Sequence, residues 1–255
     1  MAITIKNESE IARMREAGHV VAVCHARVEP AIAPGVTPKD LDALVRDTIA
    51  ELGATSNFYG HHGFPGYICA SVNDQIVHGI PSKRRLREGD IISVDIGAIV
   101  DGFHGDSAWT YPVGEVDEKV RRLLQDTEAA LYEGIAAAHG GARLGAIGHA
   151  VSAYAAPRGY GIVQGYGGHG IGREMWEEPH IPNVGEPHRG PRLRPGMTLA
   201  IEPMLNLGRA ETRVLPDEWT VVTADGSWSA HFEHTIVVTD GGPSILTERL
   251  SAVVQ

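Results

Sequence analysis

Four acids and one histidine stand at spacings that point to a single buried two-metal site: Asp95, Asp106, His169, Glu202 and Glu233. They lie in Ser93-Val-Asp-Ile-Gly, Gly102-Phe-His-Gly-Asp-Ser, Gly167-Gly-His-Gly-Ile-Gly, Ala200-Ile-Glu-Pro-Met and His231-Phe-Glu-His-Thr. Each acid interrupts an apolar or strand-like run, where an isolated carboxylate is costly to bury. Four carboxylates and one imidazole cannot neutralise one another, and a pair of divalent cations resolves the conflict. Oxygen-rich coordination with one imidazole suits Mn²⁺, Fe²⁺, Co²⁺ or Zn²⁺. Two such ions together serve hydrolysis of an amide, ester or phosphate bond. Taken singly, each acid reads equally as a solvated or structural group, and His169 as a satisfied core histidine.

The elements that must hold these residues follow from local pattern. Asp101-Gly102 is a two-residue hairpin signal between apolar runs. A turn there pairs Val100 with Phe103, sets Asp95 opposite Ala108 and makes Asp106 its diagonal neighbour on the same face. Diagonal side chains start about 7–8 Å apart, which suits ions about 3.5–4 Å apart. The segment Ser229–Thr239 reads as one long strand, with Glu233, Thr235, Val237 and Thr239 on one face. Gly165-Tyr-Gly-Gly-His-Gly also fits a dinucleotide-binding fingerprint, but no helix signal follows it. Its glycines are expected instead to let the backbone approach a ligand.

Apolar residues at three- and four-residue spacing predict helices over 7–31, 37–52, 117–138 and 144–156, the second opened by Thr37-Pro38. The segment 158–240 reads as strand and loop. Arg87–Asp95 matches Arg194–Glu202 at an offset of 107 residues, and Pro34–Leu41 lies over Gly141–Gly148 at the same offset, more loosely. The expected architecture is therefore α+β, a duplicated unit with Asp95 and Glu202 as partners across a central site.

The chain has 255 residues, 43% apolar and 21% charged, with a formal net charge of −10. That size suits one large domain or two fused halves, and the negative charge argues against broad binding to nucleic acid or anionic membranes. Two cysteines, Cys24 and Cys69, give no disulfide framework. No signal-peptide core and no membrane-length apolar run is visible. A cytoplasmic location is the simplest expectation.

The same residues resemble the type I methionine aminopeptidase family. The order and spacing of the five ligand-type residues match, as do Val77-His-Gly-Ile-Pro81, Asp101–Asp106, Gly168–Gly172 and Phe232–Thr239, so the resemblance spans nearly the whole chain. It is to the short bacterial form, without an N-terminal zinc-binding extension. The family implies a pita-bread fold: one catalytic domain over 1–255, in pseudo-symmetric halves of about 1–115 and 116–255, with a curved antiparallel sheet inside and helices outside. It implies two divalent ions (Co, Mn, Fe or Zn) and removal of the initiator methionine from nascent chains whose second residue is small, by a hydroxide shared between the ions. Asp95 would chelate one ion, His169 and Glu202 the other, with Asp106 and Glu233 bridging. Glu202 would shuttle the proton, and His78 would assist near the substrate amide. Phe58, His61, Phe64, Cys69, Met175 and Trp219 would surround the methionine side chain. The expected partners are nascent polypeptide N-termini, with ribosome contact, acting as a monomer. The chain's own Met1-Ala2 start fits that specificity.

Three positions depart from the family pattern. Seven residues after the ligand histidine the family carries a second, substrate-contacting histidine; here the residue is Trp176. Indole donates one hydrogen bond but accepts no proton. His61 stands where tyrosine is usual, and Phe58 where a small residue is common. Reduced turnover or shifted specificity is the expected result. The alternatives are a pita-bread hydrolase acting on X-Pro bonds, and a catalytically weakened paralogue or binding protein.

Overall fold

The computed structural model describes residues 2–250; the Met1 of the Met1-Ala2 start and the last five positions of the 1–255 domain lie outside them. Four helices are present, α1 (Glu8–Val28), α2 (Pro38–Glu51), α3 (Glu118–Ala137) and α4 (Gly145–Ala155). The first half of the strands comprises β1 (Thr55–Ser56), β2 (Ile68–Val72), β3 (Gln75–Val77), β4 (Ile91–Val100), β5 (Phe103–Pro112), β6 (Gly161–Ile162) and β7 (Gly167–Gly170). The remainder are β8 (Glu177–Pro182), β9 (Thr198–Ile201), β10 (Met204–Asn206), β11 (Thr212–Val214), β12 (Val221–Thr223), β13 (Ser229–His231), β14 (His234–Thr239) and β15 (Gly242–Ile245).

The helices begin where their caps place them. Asn7 and Thr37 each accept the third-residue amide of their helix and receive a carboxylate in return, a capping box, and Pro38 occupies the first turn of α2. Asp117 caps α3. α4 begins 107 residues after α2, at Gly145 against Pro38, and β9 begins 107 residues after β4, at Thr198 against Ile91. The repeat in the sequence is thus a repeat of elements.

All strand pairs are antiparallel and form four ladders: β1-β4-β2 with β5 on β4, β15-β14-β9-β7-β8, β13-β10-β6 and β11-β12-β3. Helices α1 and α2 bury one face against β2 and β4 through Val21, Cys24, Val45, Ile68 and Val94. Helices α3 and α4 pack on the second group of strands through Leu123, Leu131, Ile147, Leu199 and Ile201. The opposite faces of the helices are exposed. This is an α+β arrangement with the strands inside.

One strand expected to be continuous is broken, opposite a strand that ends at the Glu202-Pro203 step. The 229–239 run splits into β13 and β14 at Phe232-Glu233, and β9 stops at Ile201 with β10 resuming at Met204. The breaks face each other, since β14 pairs with β9 and β13 with β10. Pro203 lacks the N–H that a continuous ladder needs, so pairing lapses on both sides at once. The freed Phe232 amide bonds Pro203 O at 3.4 Å and the Glu233 amide crosses to Ala108 O at 2.8 Å. The break is what frees Glu202 and Glu233 from an ordinary alternating face.

Candidate metal centre

The β4–β5 hairpin supplies the first two acids. Asp101 and Gly102 form its turn with φ of 48° and 75°, the left-handed pair that a two-residue hairpin requires. Val100 pairs with Phe103, Asp95 with Ala108 and Gly97 with Asp106. Asp95 and Asp106 are therefore diagonal neighbours on one face. Both Asp95 Oδ1 and Asp106 Oδ1 are buried without a hydrogen-bond partner.

The other strands bring the remaining groups to that face. Thr235 Oγ1 donates to Asp106 O at 2.8 Å and accepts from Asp106 N at 3.2 Å, and Ser107 Oγ donates to Glu233 O at 2.7 Å. These crossings lock β5 to the segment carrying Glu233. Ligand atoms of Asp106, His169 and Glu233 lie within 4.8 Å of one another. His169 Nε2 lies 3.7 Å from Glu202 Oε1. His169 Nδ1 is 2.9 Å from Gly170 O. A carbonyl only accepts, so Nδ1 carries the hydrogen and Nε2 presents its lone pair to the site.

Electrostatics show what the cluster lacks. Burial pushes the Asp95 carboxyl up to about 7. Burial and the charges of Asp95 and Glu202 hold Asp106 well above the carboxylate range, and burial with Asp106 and Glu202 does the same to Glu233. Burial also raises Glu202, but the His231 contact leads the effects that outweigh it, and its carboxyl ends below its ordinary value. Burial lowers the His169 imidazole and keeps it neutral. Unpaired buried carboxylates beside a neutral imidazole with a free lone pair are a donor set for divalent cations, which would return these acids to their charged form.

All thirteen residues expected at the site, metal ligands, catalytic groups and pocket wall, line one cavity of about 50 Å³. Phe58, Phe64, Cys69 and Met175 form an apolar cluster, with Ile80 and Trp219 packed on it. Phe64 meets Trp219 edge-on at 5.1 Å and Phe58 at 6.5 Å. His61 and Trp176 stand at the mouth. His78 sits at φ 58°, packs edge-on against Tyr166 at 6.1 Å, and is kept neutral by burial. A wider groove of about 390 Å³ opens beside it, bordered by His78, Tyr166, His169, Trp176, His180 and Glu202.

The expectation about the glycine run is corrected at two positions. A Cβ on Gly168 would lie 2.2 Å from Ala200 O, and one on Gly170 2.2 Å from Glu178 O. These two glycines admit the backbones of β9 and β8, while Gly165 and Gly167 line the groove, and β7 pairs with β8 where a dinucleotide fold would start a helix. Two residues escaped the sequence reading. His231 is buried with its Nε2 3.5 Å from Glu202 Oε2, and Asn183 Nδ2 donates to Glu202 O at 3.2 Å. For His231 a signal existed: it lies two residues before Glu233, the spacing of one strand face.

The sequence pattern of metallopeptidase family M24 matches residues 12–240. The chain is 49% identical to methionine aminopeptidase 1 of Bacillus subtilis, over 96% of this chain and 99% of that protein. The chain belongs to this family, among its methionine aminopeptidases. It is also 49% identical to methionine aminopeptidase 1 of Mycobacterium tuberculosis, over 95% of this chain and 94% of the other. The crystal structure of methionine aminopeptidase from Rickettsia prowazekii superposes with a TM-score of 0.96 at 40% identity, over 97% of this chain and 100% of that one. The M24 architecture extends further. An Xaa-Pro dipeptidase from Bacillus anthracis shares the fold at a TM-score of 0.78 and 24% identity, with 97% of this chain matched to 62% of that one. Metal dependence is general to M24 metallopeptidases.

Proposed function

We propose that this protein removes the N-terminal methionine from nascent proteins and peptides whose second residue is small. The observation that carries the reading is the joining, in one narrow cavity, of a carboxylate-rich cation site to an apolar end. Asp95, Asp106, His169, Glu202 and Glu233 would hold two divalent cations, with Co, Mn, Fe and Zn the candidates. Bound there, the ions would acidify a water molecule and polarise the scissile carbonyl.

The chain's own residues do the rest. Phe58, His61, Phe64, Cys69, Met175 and Trp219 enclose an unbranched thioether, which suits aromatic and sulfur neighbours. The closed end excludes water and fixes the chain so that the first peptide bond lies over the acids. Glu202, kept ionised by its histidine neighbours, takes a proton from water and returns it to the leaving amine. His78 donates a hydrogen bond to the substrate amide. Trp176 walls the passage to the side groove, where the second residue lies. The cavity is formed by residues from both sides of position 115, which supports one catalytic domain over 1–255 with halves of about 1–115 and 116–255. Among the described residues no helix is long and apolar enough to cross a membrane. Action in the cytoplasm as a monomer on chains leaving the ribosome agrees with this substrate.

The test is methionine release from Met-Ala-Ser by metal-free protein reloaded separately with Co²⁺, Mn²⁺, Fe²⁺ and Zn²⁺, beside a peptide with proline second. Metal-dependent release from Met-Ala-Ser is expected. Two ions bound without release from it would turn the assignment to an X-Pro substrate or a binding role.

A further inference from the structure

The coil ahead of α1 is tied to the turn that carries part of the pocket wall. Lys6 is only 6% exposed although it is a lysine in the N-terminal segment. Its amide donates to Gly196 O at 2.8 Å. Its ammonium and the Thr4 hydroxyl both donate to Glu177 Oε2. The other oxygen, Glu177 Oε1, accepts the amides of Arg173 at 2.9 Å and Glu174 at 3.4 Å. One carboxylate thus joins residues 4–6 to the turn 172–177. A Cβ on Gly172 would lie 2.3 Å from Lys6 Cε, so the side chain fills the space beneath the turn. From α1, Glu10 reaches the Arg173 guanidinium at 3.2 Å. The turn presents Met175 and Trp176 to the cavity.

A buried ion pair is a poor source of stability, because desolvation offsets the attraction and apolar residues of like volume often do as well. What it does supply is one fixed geometry. We infer that the Lys6–Glu177 pair is a positioning element for the substrate pocket, holding Met175 and Trp176 against Phe58, Phe64 and His61 from outside the cavity. Neither residue bonds to the cavity's acids, and Lys6→Met keeps the Glu177 carboxylate that borders the groove beside His169 and Glu202, so the substitution acts first on how tightly the first residue is held. The inference rests on the methionine-removal reading for its kinetic consequence and on contacts alone for its structural one.

The experiment compares Lys6→Met and Lys6→Arg with the wild type. Lys6→Met is expected to raise KM for Met-Ala-Ser about fivefold or more with kcat within about twofold, the pattern of lost ground-state binding. Calorimetric cation affinity should be unchanged, and Lys6→Arg should recover most of the KM. Hydrogen exchange of the 172–177 amides should be faster in Lys6→Met. Unchanged KM, or KM and kcat moving together with no rescue by arginine, overturns the inference. Should wild type release no methionine, the functional reading fails separately, and unchanged exchange at 172–177 then rejects the strap itself. If Lys6→Met does not fold, Thr4→Val removes one bond to the same oxygen and must show the same KM shift at smaller size; no shift overturns the inference.

Discussion

His61 and Trp176 meet edge to face, with ring centroids 4.8 Å apart and planes at 76°. These are two of the three positions that the sequence reading marks as departures from the family's pattern, and they are in contact. Trp176 stays 42% exposed, so it closes the mouth of the cavity while facing the side groove. A bulky indole opposite a small imidazole keeps the gap filled, which makes the two changes one change. Trp176→His is expected to raise kcat on short peptides, because a proton-accepting ring returns to the passage. His61→Tyr combined with it should be non-additive by about 1 kcal/mol, the size of an aromatic pair in contact. Rates for the four proteins of that cycle measure the coupling, and additive values would dissolve the pairing.

Asp106 is both the diagonal partner of Asp95 and a member of the three-residue group with His169 and Glu233. Asp106→Ala should therefore empty the site rather than trim it. Calorimetry should show loss of high-affinity cation binding, and methionine release should fall by about a thousandfold, equal to about 4 kcal/mol of barrier. Chelation of the wild-type protein should produce the same loss, reversed by added metal.

His231 Nε2 lies 3.5 Å from Glu202 Oε2, while His169 faces Oε1, which places His231 to orient the second oxygen. Groups that orient a ligand in this way are worth about 10–100-fold in metal affinity. His231→Leu is expected to weaken cation binding within that range while leaving the helical circular dichroism intact. Affinity equal to wild type would make His231 a packing residue only.

The dependence of stability on pH should differ with and without metal. Asp95 rises to about 7 in the metal-free fold, and Asp106 and Glu233 also stand above their unfolded values. Stability from such groups is present below the unfolded carboxylate value and is lost as pH rises through the folded one. The buried His25 and His234 have the reverse sign, lowered to about 3 and about 4, so their contribution is lost on acidification. Between about pH 6.5 and 8 only the acids matter, since unfolded histidine titrates near 6.5 and unfolded cysteine near 8.5, and above about 7, where Asp95 is already ionised, only Asp106 and Glu233 remain. Calorimetric melting of the metal-free protein should fall across that window, at about 1.4 kcal/mol per pH unit for each carboxyl still protonated in the fold. The metal-loaded protein should be flat there.

Much of this was legible from local rules. Asp101-Gly102 set the hairpin register residue for residue, and Asn7, Thr37-Pro38 and Asp117 marked where helices start. The 107-residue offset reappeared in the starts of α2, α4, β4 and β9. What escaped depended on contacts distant in sequence. Pro203 was visible as a break in its own run, but the matching break at Phe232-Glu233 exists only because those strands pair. The tightness at Gly168 belongs to Ala200, and the burial of Lys6 to Glu177, neither of which periodicity can locate. Gly168→Ala should accordingly destabilise by about 2–4 kcal/mol, as overpacking against a backbone that cannot yield does; urea unfolding measures it.

The hairpin carries one more implication, for which lengths of chain may change. Asp95 and Asp106 share a face because the residues between them pass through a two-residue turn, so their separation is stored as a residue count of fixed parity. One residue inserted between Ile96 and Gly105 would turn Asp106 toward the opposite face and dismantle the site without touching a ligand. The exposed stretch 188–192 between β8 and β9 keeps a register of its own, since the Leu144 and Gly145 amides donate to Pro191 O and Arg189 O and Arg143 bridges to Arg192. Natural variants of this chain should accordingly never gain or lose single residues in the hairpin.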